Sequence, residues 1–357
     1  MDLNLCRVSL TLIKTTNLKP RTIKSYEKKL EVWENYVGKT ATLESIDAQT
    51  ILDFQLWLAK SDTVTGRVGV SARTIDGYTE VVSNVYKKII KRLAYNPVEG
   101  RLVSKKQRMK SNRKAFTAGE LKRIFDPNYL NACTDPVNFF VPILGLLTGS
   151  RPASICQLRL GDVEIEEGIY VVRYHDFLVD NSSKTSATNR TTPLHPVLQQ
   201  IGFLEYLEDV KKLPGANDNT LIFPMLNKYE QGYADVPSQN FTLLLKKLGI
   251  YVTNVKVFYS LRHTVNIRMK KRGVTEDIRS QYIGHENDTV NNRSYTDGQT
   301  PSQFLLEKAI PALKFDEIEW SKIRYKGDQK QLERRYELAQ KRDFKKAKRK
   351  ASKDLKN

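Results

Sequence analysis

Four short segments of this 357-residue chain carry side chains suited to chemistry on an anion. Thr148-Gly149-Ser150-Arg151 ends a nearly all-apolar stretch, and Ser183-Lys184-Thr185 lies in a polar stretch ahead of Thr192-Pro193-Leu194-His195-Pro196. Tyr259-Ser260-Leu261-Arg262-His263 begins a helical segment, with Arg262 111 residues after Arg151. Ile283-Gly284-His285 ends 23 residues after Arg262, and Tyr295 stands ten residues beyond. Arginine offers a planar, permanently charged fork that matches phosphate geometry. Lysine and histidine move protons, and a tyrosine oxygen serves as a nucleophile.

Several other chemistries lack their residues. Neither a G-x-G-x-x-G nor a G-x-x-x-x-G-K-[ST] loop occurs, so ATP chemistry is unsupported, and there is no G-x-S-x-G elbow. The four histidines (His175, His195, His263 and His285) form neither H-E-x-x-H nor a Cys/His cluster, and the carboxylates are scattered. Chemistry without metal or cofactor is therefore expected. Cys6, Cys133 and Cys156 lie far apart, which excludes a disulfide scaffold and fits a reducing compartment.

In order and spacing these segments resemble the tyrosine recombinases, the phage-integrase family of site-specific recombinases. The resemblance covers residues 115–300 in detail and extends loosely to the N-terminal helices, which are similar to the family's core-binding domain. It implies that Arg151 and Arg262 hold the non-bridging oxygens of a scissile phosphate, where attack builds negative charge. It implies Tyr295 as the nucleophile, whose phosphotyrosine stores the energy of the broken bond. Lys184 becomes the general acid for the leaving 5′ oxygen, with Arg190 in the same hairpin as the fallback. His285 hydrogen-bonds the phosphate or helps deprotonate the tyrosine. Tyr282, ahead of the I-G-H turn, fits the nucleophile's place less well.

Two positions depart from the family pattern. Its H-x-x-R box has Tyr259 where histidine is usual; a phenol donates a hydrogen bond but carries no positive charge. Tyr259 is taken as the substitute, with His263 as the alternative. The acid often found three residues after the first arginine is Ser154 here. The His-to-Tyr spacing is also one residue longer than the commonest, which implies a small loop insertion. The resemblance further implies a homotetramer on double-stranded DNA with specific recombination sites, a Holliday-junction intermediate and a C-terminal segment packed on a neighbouring subunit. Accessory DNA-bending or directionality factors belong to the same expectation. The rival readings are a type IB topoisomerase or hairpin telomere resolvase, which share the arginine–lysine–histidine–tyrosine set, and a catalytically inactive DNA-binding regulator of the same fold.

The elements that position these residues can be read from periodicity. Residues 22–37, 47–58 and 72–93 show amphipathic helical stripes: Ile23, Tyr26, Leu30 and Trp33; Ile51, Phe54 and Leu58; Ile75, Tyr78, Val82 and Val85. Gly38 stops the first, Ser71 caps the third, and Asn96-Pro97 breaks the chain. Beyond residue 115 the pattern becomes mixed. Thr117 opens a helix, 137–147 is a buried helix, and 151–158 is a short one. Strands are expected around Gly168 and at Thr191–Leu194, and helices at 197–211, 239–248, 260–271 and 276–283. The fold class is mainly α with a small antiparallel β-sheet. The expected divisions are a helical core DNA-binding domain at 1–100, a basic linker at 101–114, a catalytic domain at 115–312 and a basic tail at 313–357.

The net charge of +19 points to a polyanionic partner. Between Arg101 and Lys114 there are seven cations and no acid, and from Lys322 to the end fifteen Lys/Arg face five acids. Lys105, Lys106, Arg108, Lys110, Arg113 and Lys114 are therefore expected to track DNA phosphates, together with Lys24 and Arg73. In the tail, Phe315, Ile318, Trp320 and Ile323 are expected to pack on a neighbouring subunit, and the last thirty residues, read as a basic helix fraying toward Asn357, to touch flanking DNA. No apolar run is long enough to span a bilayer and no signal peptide is visible, so a cytoplasmic, nucleoid-associated protein of prokaryotic or phage origin is expected, with no membrane partner.

Overall fold

The computed structural model describes residues 20–38, 40–42, 45–60, 69–89, 98, 113–175, 189–227, 232–285 and 302–354. The chain divides into two compact units, Met1–Ser111 and Asn112–Asn357. Among the described residues, no helix is long and apolar enough to cross a membrane.

The first unit contains α1 (Pro20–Val37), α2 (Ala48–Lys60) and α3 (Ala72–Ile89). Their apolar stripes meet as the sequence implies: Leu30, Trp33, Ile51, Phe54, Leu58, Ile75 and Val82 are all buried in one cluster. Trp33 and Phe54 meet edge to face at 4.7 Å, and Tyr36 closes on Phe54 at 5.1 Å. Asp47 starts α2 by accepting from the Thr50 amide at 2.7 Å, and Ser71 caps α3 through the Thr74 amide at 3.3 Å. Lys24 on α1 and Arg73 on α3 are exposed.

The second unit begins with α4 (Ala118–Ile124), whose capping box joins Thr117 and Glu120. Next come α5 (Pro127–Asn131), which the sequence reading missed, and α6 (Pro136–Thr148). Both start on an aspartate followed by proline, with Asp126 and Asp135 accepting from the first amides of each helix. α6 is buried on every face and forms the axis of the unit. After the short α7 (Pro152–Cys156) come β1 (Val163–Glu166) and β2 (Ile169–Tyr174), joined by a turn at Glu167-Gly168, and β3 (Arg190–Pro193). The three strands form an antiparallel sheet in the order β1-β2-β3, with Arg190 opposite Tyr174.

The single helix expected over 197–211 is two: α8 (Pro196–Gln200) and α9 (Phe203–Lys211). Gly202 breaks it with φ of +93°, a left-handed conformation open to glycine. The apolar spacing continues across the break, so periodicity alone cannot reveal it. The unit continues with α10 (Asp235–Lys247), α11 (Tyr259–Lys271), α12 (Glu276–Ile283), α13 (Ser302–Lys308) and α14 (Gln329–Asp354).

The C-terminal segment departs from expectation. Phe315, Ile318 and Ile323 do not wait for a neighbouring subunit; they are buried in the core of their own unit. Trp320 rests near Phe125, with ring centroids 6.1 Å apart. Arg268 lies over the Phe315 ring at 4.3 Å and pairs with Glu317. Tyr325 packs on Phe139 and Phe140 of α6 and donates its hydroxyl to the Thr134 carbonyl. The apolar area these residues bury in cis drives this docking.

Candidate active site

Two of the sequence segments end helices in the same way. α6 stops at Gly149 and α12 at Gly284, each in the left-handed conformation, with φ of +62° and +70°. Such ends leave main-chain carbonyls without helical partners. A single side chain from α11 takes them up. Arg262 donates from Nη1 to the Gly149 carbonyl at 2.8 Å and to the Ile283 carbonyl, and from Nη2 to the Gly284 carbonyl at 2.8 Å. Its Nε donates to His285 Nε2 at 3.1 Å. The T-G-S-R turn, the L-R-H helix and the I-G-H turn are therefore one junction closed by Arg262.

Gly149 is required there for two reasons: its φ is positive, and a Cβ would lie 2.7 Å from Ile283 Cγ2. Gly149→Ala is expected to destabilise the protein by about 2 kcal/mol or more, since strain and overpacking act together. Thermal melting of the variant checks this. Ile283→Ala opens a cavity of its own, so in a double-mutant cycle it should cost less in the Gly149→Ala background than in wild type, and the difference reports the clash component.

Arg262 is 2% exposed and, among the described residues, forms no ion pair with a carboxylate. Burial, and then the nearby Arg151 charge, push its pKa down to about 9, so the guanidinium remains protonated at neutral pH. Arg151 caps the start of α7 with its backbone, its guanidinium is not used in that cap, and it is half-buried. Arg190, on β3, is buried: Nε donates to the Tyr282 carbonyl at 2.9 Å, Nη2 to Ser150 Oγ at 2.7 Å, and the guanidinium lies 4.0 Å from the Tyr174 ring centre. Burial lowers its pKa to about 10. Arg190 is thus fastened inside rather than open on the hairpin, and its bond to Ser150 ties it to the turn that carries Arg151. Its place in Asn189-Arg190-Thr191, between two strand signals, was visible in the sequence, but its burial was not.

His285 sits at the far end of this junction. Burial first, and then Arg262, Arg151 and Arg190, depress its pKa to about 4. The ring is neutral at physiological pH, consistent with Nε2 accepting from Arg262, and Nδ1 remains to donate. Between pH 6.5 and 4 the unfolded chain binds a proton at this residue more readily than the folded one. The contribution of His285 to stability should therefore be constant above about pH 6.5 and fall as pH drops toward 4. His195, which caps α8 and is depressed to about 4 mainly by burial, acts in the same direction. Replacing His285 with Gln should flatten part of this slope in melts across that range.

Tyr259 stands one turn before Arg262 on α11, and its phenol is among the groups that act on that guanidinium. Arg113 stacks over the Tyr259 ring at 4.4 Å. The adjoining chain is tied to the same region: the Lys114 amide bonds the Val255 carbonyl at 3.1 Å, and the Phe116 amide bonds Thr264 Oγ1 at 2.8 Å. Lys114 itself is exposed. His263 is half-buried and, among the described residues, makes no hydrogen bond or ion pair, so Tyr259 rather than His263 keeps company with Arg262. Tyr282 is fully buried and donates its hydroxyl to the Leu147 carbonyl at 2.8 Å. Burial raises its pKa, and it cannot reach a substrate. Lys184, Tyr295, Lys105, Lys106, Arg108 and Lys110 lie outside the described residues. Also among the described residues, no group of three or more His, Cys, Asp or Glu is arranged to hold a metal.

Known proteins share this fold. The fold resembles that of a fragment of lambda integrase solved as a dimer bound to a COC′ core site, with a TM-score of 0.55 and 18% identity over 83% of this chain and 96% of that one. The Tn1549 transposon integrase in complex with circular intermediate DNA gives a TM-score of 0.61 and 17% identity over 85% and 99%. The XerH site-specific recombinase bound to its difH substrate gives 0.53 and 18% over 80% and 78%. Among curated protein sequences, none matches significantly. The phage integrase family model matches residues 117–300, just over half of the chain and all four chemical segments, so the chain belongs to the phage integrase family, the tyrosine recombinases.

Proposed function

We propose that the protein cleaves and rejoins DNA at specific sites through a 3′-phosphotyrosyl intermediate. The observation that carries this reading is a protonated arginine held by three main-chain carbonyls, with Arg151 close by and, among the described residues, no carboxylate paired with it. Such a cluster is poised for an oxyanion, because protein acceptors take up most of the Arg262 N–H groups and fix its positive charge in place before negative charge develops. In this reading the Tyr295 phenol gives up its proton to water as its oxygen attacks the phosphorus, and the bond to the 5′ oxygen breaks. Lys184 gives that oxygen its proton, and His285 hydrogen-bonds the phosphate through Nδ1. The reverse attack by a 5′ hydroxyl rejoins the strand, so the bond count is conserved without ATP, metal or cofactor. The helical unit would hold one face of the duplex through Lys24 and Arg73, with residues 101–114 following its backbone. Four copies on two sites would pass through a Holliday junction, for integration or excision of a mobile element in a prokaryotic or phage setting.

The test starts from cells. DNA left covalently attached to the protein is recovered and sequenced, and the site found is rebuilt as a nicked duplex that traps the intermediate. Wild-type protein should yield an adduct whose modified peptide contains Tyr295. A bound but never covalent duplex would leave only a DNA-binding regulator, and supercoil relaxation without site preference would favour a topoisomerase.

A further inference from the structure

α14 is one continuous helix with two different halves. Its first three turns are docked: Leu332 and Ala339 are buried, Tyr336 packs against the core, and Arg335 pairs with Asp135. From Gln340 onward the described side chains are exposed, and Phe344 is 71% exposed. Residues 341–354 carry eight Lys/Arg and two acids. At 1.5 Å per residue this half extends about 20 Å beyond its anchor.

Two features go beyond charge alone. First, the cations repeat at i, i+4: Lys341 with Lys345, Arg342 with Lys346, Lys345 with Arg349, Lys346 with Lys350, and Arg349 with Lys353. Like charges at this spacing destabilise a helix. A polyanion alongside would remove that repulsion, so helix stability and anion binding are linked. Second, the anchor lies at the wrong end of the unit for the scissile phosphate. Arg335 holds Asp135, the N-cap of α6, whereas Gly149 and Arg151 follow its C-terminal end. Thirteen helical residues, about 20 Å, separate the two.

We infer that residues 340–354 form a second DNA-binding surface, a basic helical arm anchored away from the cleavage pocket that grips duplex phosphates and gains helicity when it does so. The choice of duplex DNA as the partner rests on the recombinase reading above. The narrow Phe344, Ala347 and Ala351 stripe is too small to make a lipid surface the better fit.

Binding of a random-sequence 40-base-pair duplex is measured against salt for the full chain, for a chain ending at Ala339, and for a variant with Lys345, Lys346, Arg349 and Lys350 changed to Gln. Each phosphate contact contributes about 0.9 to the slope of log affinity on log salt. The truncated chain should lose about 3 or more from that slope, and the Gln variant about 2 or more. Far-UV circular dichroism gives an independent reading. Duplex should raise the helicity of the full chain at low salt, while the Gln variant should begin more helical and respond less. Unchanged slopes, or a Gln variant less helical than wild type, would overturn the proposal. So would arm-dependent sedimentation with phosphatidylserine vesicles in place of arm-dependent duplex binding. Adduct formation at saturating protein, followed in parallel, reports the cleavage pocket separately. A failed adduct with an intact slope difference would therefore count against the recombinase reading and not against the arm.

Discussion

Tyr295→Phe is expected to abolish the covalent protein–DNA adduct while leaving duplex binding nearly intact. Only the phenolic oxygen is removed, and that oxygen is the atom proposed to bond phosphorus. The comparison with other tyrosines makes the experiment decisive. Tyr282 donates to the Leu147 carbonyl from a fully buried position, so Tyr282→Phe should cost about 1 kcal/mol of stability and retain adduct. Tyr259→Phe keeps the ring that Arg113 stacks on but removes a hydrogen-bond donor near Arg262, and should slow cleavage without preventing it. Electrophoresis of the trapped intermediate separates the three. Undiminished adduct from the Tyr295→Phe protein would show that another residue is the nucleophile.

The second large effect is expected at Arg262. Methionine there fills similar space but leaves the Gly149, Ile283 and Gly284 carbonyls without their donor. A buried polar group deprived of its partner costs about 1–3 kcal/mol. With some relaxation, about 3 kcal/mol should be lost overall, a large part of a typical stability of about 5–15 kcal/mol. For a unit of this size that is a fall of roughly 6–12 °C in Tm. Strand cleavage, measured below the new Tm, should drop by about a hundredfold to a thousandfold, the effect of losing an oxyanion donor. Arg262→Lys separates the two roles. The ammonium keeps the charge but cannot span three carbonyls, so most stability should return while cleavage stays far below wild type. Equal recovery of both would mean that charge alone, not the fork, is what the site uses.

Much of this architecture can be read in the primary structure, and the reasons are local. The stripes of α1 to α3 follow the 3.6-residue period because each helix buries one face. α6 reads as buried because it is apolar all round. The spacing of Arg151, Arg262 and His285 brings them together because their segments end or begin helices at one junction. Other features leave no such trace. The break at Gly202 is hidden by an unbroken apolar rhythm. Arg190 looks like any hairpin cation until its burial between Ser150, Tyr282 and Tyr174 is seen. The docking of Phe315, Ile318 and Ile323 is masked by their charged neighbours: a few isolated anchors bury efficiently without forming a period. The sequence favours Tyr259 over His263 as the replacement for the usual histidine, and the three-dimensional arrangement sets Tyr259 beside Arg262.

The burial of that C-terminal segment bears on how such proteins can be recombined with one another. The family match ends at residue 300, yet the folding unit reaches Ala339, because Phe315, Ile318, Ile323 and Leu332 complete the same core as α6. A chimera joined at the family boundary would pair one parent's core with another parent's plug. Chimeras joined after Ala339 should express as soluble protein, and those joined near 300 should not. Exchange of parts between such integrases is therefore expected to be more permissive at the middle of the final helix than at the edge of the family match.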